Sequence, residues 1–96
     1  MIQLNEAIDK DISGEYEDAV EAYEKILSQK DPPVDSFINL AFIYWESVTQ
    51  FYYSNGKMIS EKLRMVGIEK YQITIHEGLI AFPNSLELHF WKKYFL

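Results

Sequence analysis

The stretch Gly14-Glu15-Tyr16-Glu17-Asp18-Ala19-Val20-Glu21-Ala22-Tyr23-Glu24-Lys25-Ile26-Leu27, followed by Asp31-Pro32-Pro33, decides the fold. Tyr16, Ala19, Val20, Tyr23, Ile26 and Leu27 recur at helical spacing and share one side, while Glu17, Asp18, Glu21, Glu24 and Lys25 share the other. The spacing predicts a helix over 15–29. Gly14 precedes it as a stop for an earlier helix, because glycine accepts the left-handed backbone that ends many helices. The proline pair ends it, since proline lacks an amide donor and pushes its predecessor out of the helical region.

Working outward, Leu4, Ala7, Ile8 and Ile12 predict a first helix over 2–12. Beyond the prolines a long aromatic helix is expected over 34–54, carrying Phe37, Phe42, Tyr44, Trp45, Phe51, Tyr52 and Tyr53 up to the breaker Asn55-Gly56. Ile68, Tyr71, Ile75, Leu79 and Phe82 then step along one face of a fourth helix over 58–81, closed by Pro83. Asn84-Ser85-Leu86-Glu87 reads as a helix start, with Asn84 as the cap and Glu87 reaching back toward it. The fifth helix is expected to run to the chain end with Leu86, Leu88, Phe90, Trp91, Tyr94, Phe95 and Leu96, leaving little polar surface. The expectation is an all-α chain of antiparallel helix pairs, about five helices in one domain over 1–96.

Composition supports that class. Of the residues, 48% are hydrophobic and 25% charged, with four Gly and three Pro, as in an ordered domain. The absence of cysteine removes disulfides, thiolate metal sites and cysteine nucleophiles. Neither a basic leader followed by an apolar segment nor an 18-residue apolar run is present, so a cytoplasmic protein without membrane attachment is expected. The net charge of −6 lies wholly in residues 1–31, with nine acids against three lysines; residues 32–96 balance at six and six. Such an acidic surface opposes nucleic-acid binding, which needs Lys and Arg to neutralise phosphates.

Catalytic and metal chemistry find no support. His76 and His89 sit on different expected helices, and no metalloprotease pair, phosphate-cradling glycine loop or nucleophile elbow occurs. The acids Asp9, Asp11, Glu17 and Asp18 lie among surface-type residues and read as hydrated faces. No cofactor or metal is expected, and no enzyme.

Gly14, Tyr16, Ala19, Tyr23 and Leu27, followed past the prolines by Phe37, Leu40, Ala41 and Tyr44, resemble the packing positions of the tetratricopeptide repeat family. The resemblance covers about a third of the chain. It departs from the family's regular period of about 34 residues, because Pro32 and Pro83 are 51 apart. It implies a right-handed array of helix pairs that binds a protein or peptide in a groove lined by the first helix of each repeat. On the third helix the groove positions are Asp35, Ile38, Asn39, Phe42, Trp45 and Glu46. Leu4, Ile8, Glu87 and Trp91 stand where some family members hold a terminal carboxylate with basic and amide groups, so that ligand is not expected. An apolar peptide with some positive charge suits the strip better; the competing reading buries Phe42 and Trp45 under the fifth helix. Two further readings are an acidic inhibitor of one basic protein, of the immunity or antitoxin kind, and a homo-oligomer closed through the C-terminal helix. Separately, the Lys57, Lys62, Arg64 and Lys70 stretch reads either as a solvated face or as a patch of one copy that meets the acidic third of another. The chain may equally be read as a piece of a longer array.

Overall fold

A computed structural model describes residues 3–50, 58 and 60–93, and among them forms five helices and no strand. These are α1 (Leu4–Ile12), α2 (Tyr16–Leu27), α3 (Val34–Thr49), α4 (Glu61–Ala81) and α5 (Leu86–Lys92). The chain is all-α, as its periodicities require. Each helix packs mainly on the next, α3 against α4 most extensively. The molecule measures 34 × 33 × 19 Å, so its thin dimension holds two helix diameters of about 10 Å each. No described helix is long and apolar enough to cross a membrane.

The joints follow local chemistry. Gly14 has φ 79°, the left-handed conformation that turns α1 back into α2. Asp31 has φ 53° at the α2 to α3 joint, and Pro33 caps α3 in an extended conformation while Ser36 Oγ donates to its carbonyl. Ser60 Oγ accepts the Leu63 amide to start α4, and Ser85 Oγ accepts the Leu88 amide to start α5, both at 3.2 Å. Ser85 therefore takes the capping role the sequence assigns to Asn84. A serine one residue nearer the helix takes the Leu88 amide, and Glu87 then stands at the second helical position, one residue short of the third from which it would reach back to the cap.

Three buried tyrosines tie successive helices. Tyr23 of α2 donates to Asp11 Oδ2 of α1 at 3.2 Å, and Tyr44 of α3 to Glu24 Oε1 of α2 at 2.5 Å. Tyr71 of α4 donates to the Trp91 carbonyl of α5. The rings supply apolar burial worth roughly 1.5–3 kcal/mol each, and each hydroxyl adds about 1 kcal/mol net. Burial, reinforced by the facing carboxylate, pushes the Tyr23 and Tyr44 phenols far up, so both remain donors at any ordinary pH. Around them Ala19, Ala22, Ile26, Phe37, Leu40, Ala41 and Ile43 complete the core.

Four expectations change. Gln50 is extended (φ −134°, ψ 158°), so α3 stops at Thr49 instead of continuing to 54; Phe51 to Ser54 and Asn55-Gly56 lie outside the described residues. Ile12 is 80% exposed although it was placed on the α1 stripe, because the buried face runs through Leu4, Ala7, Ile8 and then Asp11, which Tyr23 holds. On α4 the buried face is Leu63, Gly67, Tyr71, Thr74, Ile75 and Gly78, and Ile68 is left exposed. Two glycines on that face let α3 and α5 come close, which rotates the packed stripe away from Ile68. α5 ends at Lys92, and of its apolar residues only Leu88 is buried. Leu86 and Phe90 face outward, while Tyr94, Phe95 and Leu96 lie outside the described residues.

Candidate functional site

The six positions singled out on α3 separate by depth. Asp35 and Phe42 are exposed; Ile38, Asn39 and Trp45 are half-buried; Glu46 is buried with 6% exposure. Helical geometry explains the division, since the outward arc of α3 centres on Phe42 and Ile38 and Trp45 border it. Glu46 turns off that arc into the packed side of the helix, where the Asp11 charge acts on it.

Phe42 and Trp45 meet α5. Their ring centres lie 5.7 Å apart, and Trp91 stands edge-on to both at 5.8 and 5.6 Å. Phe90 extends the group, 5.8 Å from Trp91. Aromatic rings favour such tilted and edge-to-face arrangements, which fix the three side chains as one platform. Contact with the fifth helix, foreseen as the alternative to a groove, thus occurs without closing the surface: Phe42 keeps 42% of its area in solvent and Phe90 52%. Trp91, which the sequence places on the apolar fifth helix and in the position of a basic group, is the residue that completes the platform.

Beside the platform the surface is acidic. The Tyr23 hydroxyl is donated to Asp11, and the polar Asn39 and the charge of Asp35 lie near enough to act on the phenol. Asn39 is half-buried. Burial pushes the Asp11 carboxyl up against the opposing pull of the Tyr23 hydroxyl, and burial and then the Asp11 charge push Glu46 up. Asp11 is half-buried, so its reading as part of a hydrated face is corrected; Asp9, Glu17 and Asp18 are exposed as expected. What hid Asp11 was its type, because an acid on an apolar stripe counts as a break until a partner such as Tyr23 is known.

A raised carboxyl destabilises the fold above its folded-state value, and the penalty is relieved as pH falls and the folded state takes up the proton. The window runs from the ordinary Glu value of 4.5 upward. Glu46→Gln is expected to raise the melting temperature at pH 7, because it removes the buried charge. Parent and variant converge near pH 4, below the unfolded value. A variant that melts lower at pH 7, or a gap that persists in acid, contradicts the assignment.

Other surfaces lack this convergence. A cleft of about 480 Å³ between α2 and α4 sets Glu17, Asp18, Glu21 and Glu24 opposite Lys62 and Lys70. Part of the basic stretch thus faces the acidic third within one chain, which weakens its use for docking a second copy; Lys57 lies outside the described residues. Lys25 and Glu21 form the ion pair seen among the described residues, at 3.2 Å on the surface of α2. No cluster of three or more His, Cys, Asp or Glu suited to a metal occurs among the described residues.

Fold and surface together define the class: an all-α protein of five described helices presenting an aromatic platform beside buried acids. No protein-family model matches the sequence, and no match was found among curated proteins or solved structures.

Proposed function

We propose that the chain is a non-enzymatic, tetratricopeptide-like interaction module of the cytoplasm that binds an apolar, positively charged segment of a partner protein along α3. The observation that carries this reading is the half-open platform of Phe42, Trp45 and Trp91. Apolar rings held rigid and left partly in solvent lose little entropy on binding and gain burial, the combination typical of interface hot spots. The repeat-like arrangement is supported by Ala19, Tyr23, Leu40, Ala41 and Tyr44, which the resemblance names as packing positions and which are all buried. The acids beside the platform favour a cationic segment and disfavour a phosphate backbone.

Phe42→Glu tests the site with little risk to folding, because Phe42 is exposed and absent from the core. In a tagged pull-down from native lysate, the parent is expected to retain specific proteins that Phe42→Glu loses, with at least about thirtyfold weaker binding for a hot spot of about 2 kcal/mol. Equal recovery by both chains moves the site elsewhere, to the acidic face of α2 or to α5. Self-association alone would favour the oligomer reading, for which the outward Ile80, Leu86 and Phe90 are the candidate contact.

A further inference from the structure

Between α4 and α5 lies a cleft of about 420 Å³ that shares no described lining residue with the aromatic platform. It is lined by Tyr71, Ile75 and Leu79, by Gln72, His76 and Ile80, and by Lys92 of α5. On α4 these residues form two rows at helical spacing. Tyr71, Ile75 and Leu79 make the inner row, the first two buried, and Gln72, His76 and Ile80 make the exposed outer row. At a helical rise of 1.5 Å per residue, the channel from 71 to 80 is roughly 13 Å long. Its two ends differ. The Tyr71 hydroxyl reaches the Trp91 carbonyl, which sets Lys92 beside Tyr71 and Gln72, whereas Leu88 meets Gly78, so Leu79 and Ile80 line the far end. The cleft thus has a cation at one end and aliphatic walls at the other, with His76 midway along the rim.

We propose that this cleft binds a small aliphatic monocarboxylate, with the carboxylate on Lys92 and the chain laid along Ile75 and Leu79 toward Ile80. Charge selects the head group. The clefts described along α2 each carry acids, and the whole chain stands at −6, yet no acid is among the described residues lining this one. Lys92 and His76 have no ion-pair partner among the described residues, so an incoming anion displaces none. The flexible lysine stem lets its ammonium follow the head group, and a cationic ligand would meet like charge there. Shape selects the tail. The volume falls in the roughly 300–1,000 Å³ range of small-molecule sites, whose apolar walls and few convergent polar groups this cleft shares. A chain reaching Ile80, which is 69% exposed, withdraws aliphatic surface from water on both sides.

The test is an NMR titration of methyl-labelled protein with monomeric decanoate, set beside decylammonium, which has the same chain and the opposite charge, and butyrate, which has the same head group and a short chain. Decanoate is expected to move the Ile75, Leu79 and Ile80 methyl signals saturably. Decylammonium should bind at least about fivefold more weakly, and so should decanoate to Lys92→Glu. Butyrate to the parent, and decanoate to Ile80→Asp, should lose about tenfold or more. Lys92 and Ile80 are both exposed, so these variants keep the parent's circular dichroism spectrum. Phe42→Ala should bind decanoate as the parent does. The absence of saturable shifts, equal binding of decylammonium, or undiminished binding by Lys92→Glu overturns the site. Binding lost in Phe42→Ala would put the probe on the aromatic platform and overturn it equally, while the groove reading would still stand or fall by its own pull-down.

Discussion

Gly67→Ala loses about 1–2 kcal/mol of stability, even though alanine is the better helix former by about 1 kcal/mol. A Cβ at this position would lie 2.5 Å from Ser47 Oγ and 2.5 Å from Val48 Cγ1, with the Tyr44 carbonyl oxygen at 3.3 Å. Val48 can rotate away. Ser47 has less freedom, because it is wholly buried and its hydroxyl donates to the Tyr44 carbonyl at 2.6 Å. The added methyl must therefore push α3 and α4 apart along their most extensive contact. Chemical denaturation of Gly67→Ala and of Gly67→Ala/Ser47→Ala measures this directly. Removing Oγ in the double variant should restore part of the loss, and a larger side chain, Gly67→Leu, should abolish the cooperative transition. A Gly67→Ala midpoint equal to or above the parent's would show that the close approach is absent.

That contact also marks where sequence reading succeeds and where it stops. The stretch from Gly14 to Tyr44 was legible as helices because its apolar residues recur at helical spacing; Ala19, Tyr23, Phe37, Leu40, Ala41 and Tyr44 are core, and Tyr16 and Leu27 pack half-buried against it. Gly67 and Gly78 were not legible. A glycine inside a helix reads as weakness unless the neighbouring helix is known, and Ile68, the more hydrophobic choice, drew the stripe to the wrong angle. Helix ends followed the same logic: the proline rings fix φ and Gly14 alone tolerates the left-handed turn at no cost, whereas Ser85 and Asn84 are chemically equivalent caps one residue apart.

On the surface, periodicity located the α3 strip but could not rank its members. Phe42 and Glu46 are one turn apart in sequence, yet one is open and the other buried. Tertiary packing makes that difference, and no local pattern encodes it. Trp91 was likewise visible as an aromatic residue and unreadable as part of a platform, since its contacts with Phe42 and Trp45 bridge more than forty residues of chain.

Leu88→Ala is expected to detach α5 and to cost about 2–5 kcal/mol locally, the range for emptying a buried leucine site. α5 has seven residues, too few to hold a helix by its own hydrogen bonds, so its order depends on docking. Leu88 is its single buried residue, and its Cδ1 occupies the notch where a Cβ on Gly78 would lie 3.0 Å away, beside Phe37. Once that side chain is removed, the Tyr71 bond to the Trp91 carbonyl remains as a polar tie, worth about 1 kcal/mol. The platform dissolves with the helix, because Trp91 is the ring shared by Phe42, Trp45 and Phe90. Two probes should therefore separate in Leu88→Ala: tryptophan fluorescence shifts red at low denaturant while far-ultraviolet circular dichroism holds until the four-helix remainder unfolds. Leu86→Ala, 86% exposed on the same helix, should change stability by no more than about 0.5 kcal/mol and keep the probes coincident. Coincident transitions in Leu88→Ala would mean that α5 is held by more than its one buried leucine. Binding lost by Leu88→Ala and retained by Leu86→Ala would place the platform, and not the outer face of α5, in contact with the partner.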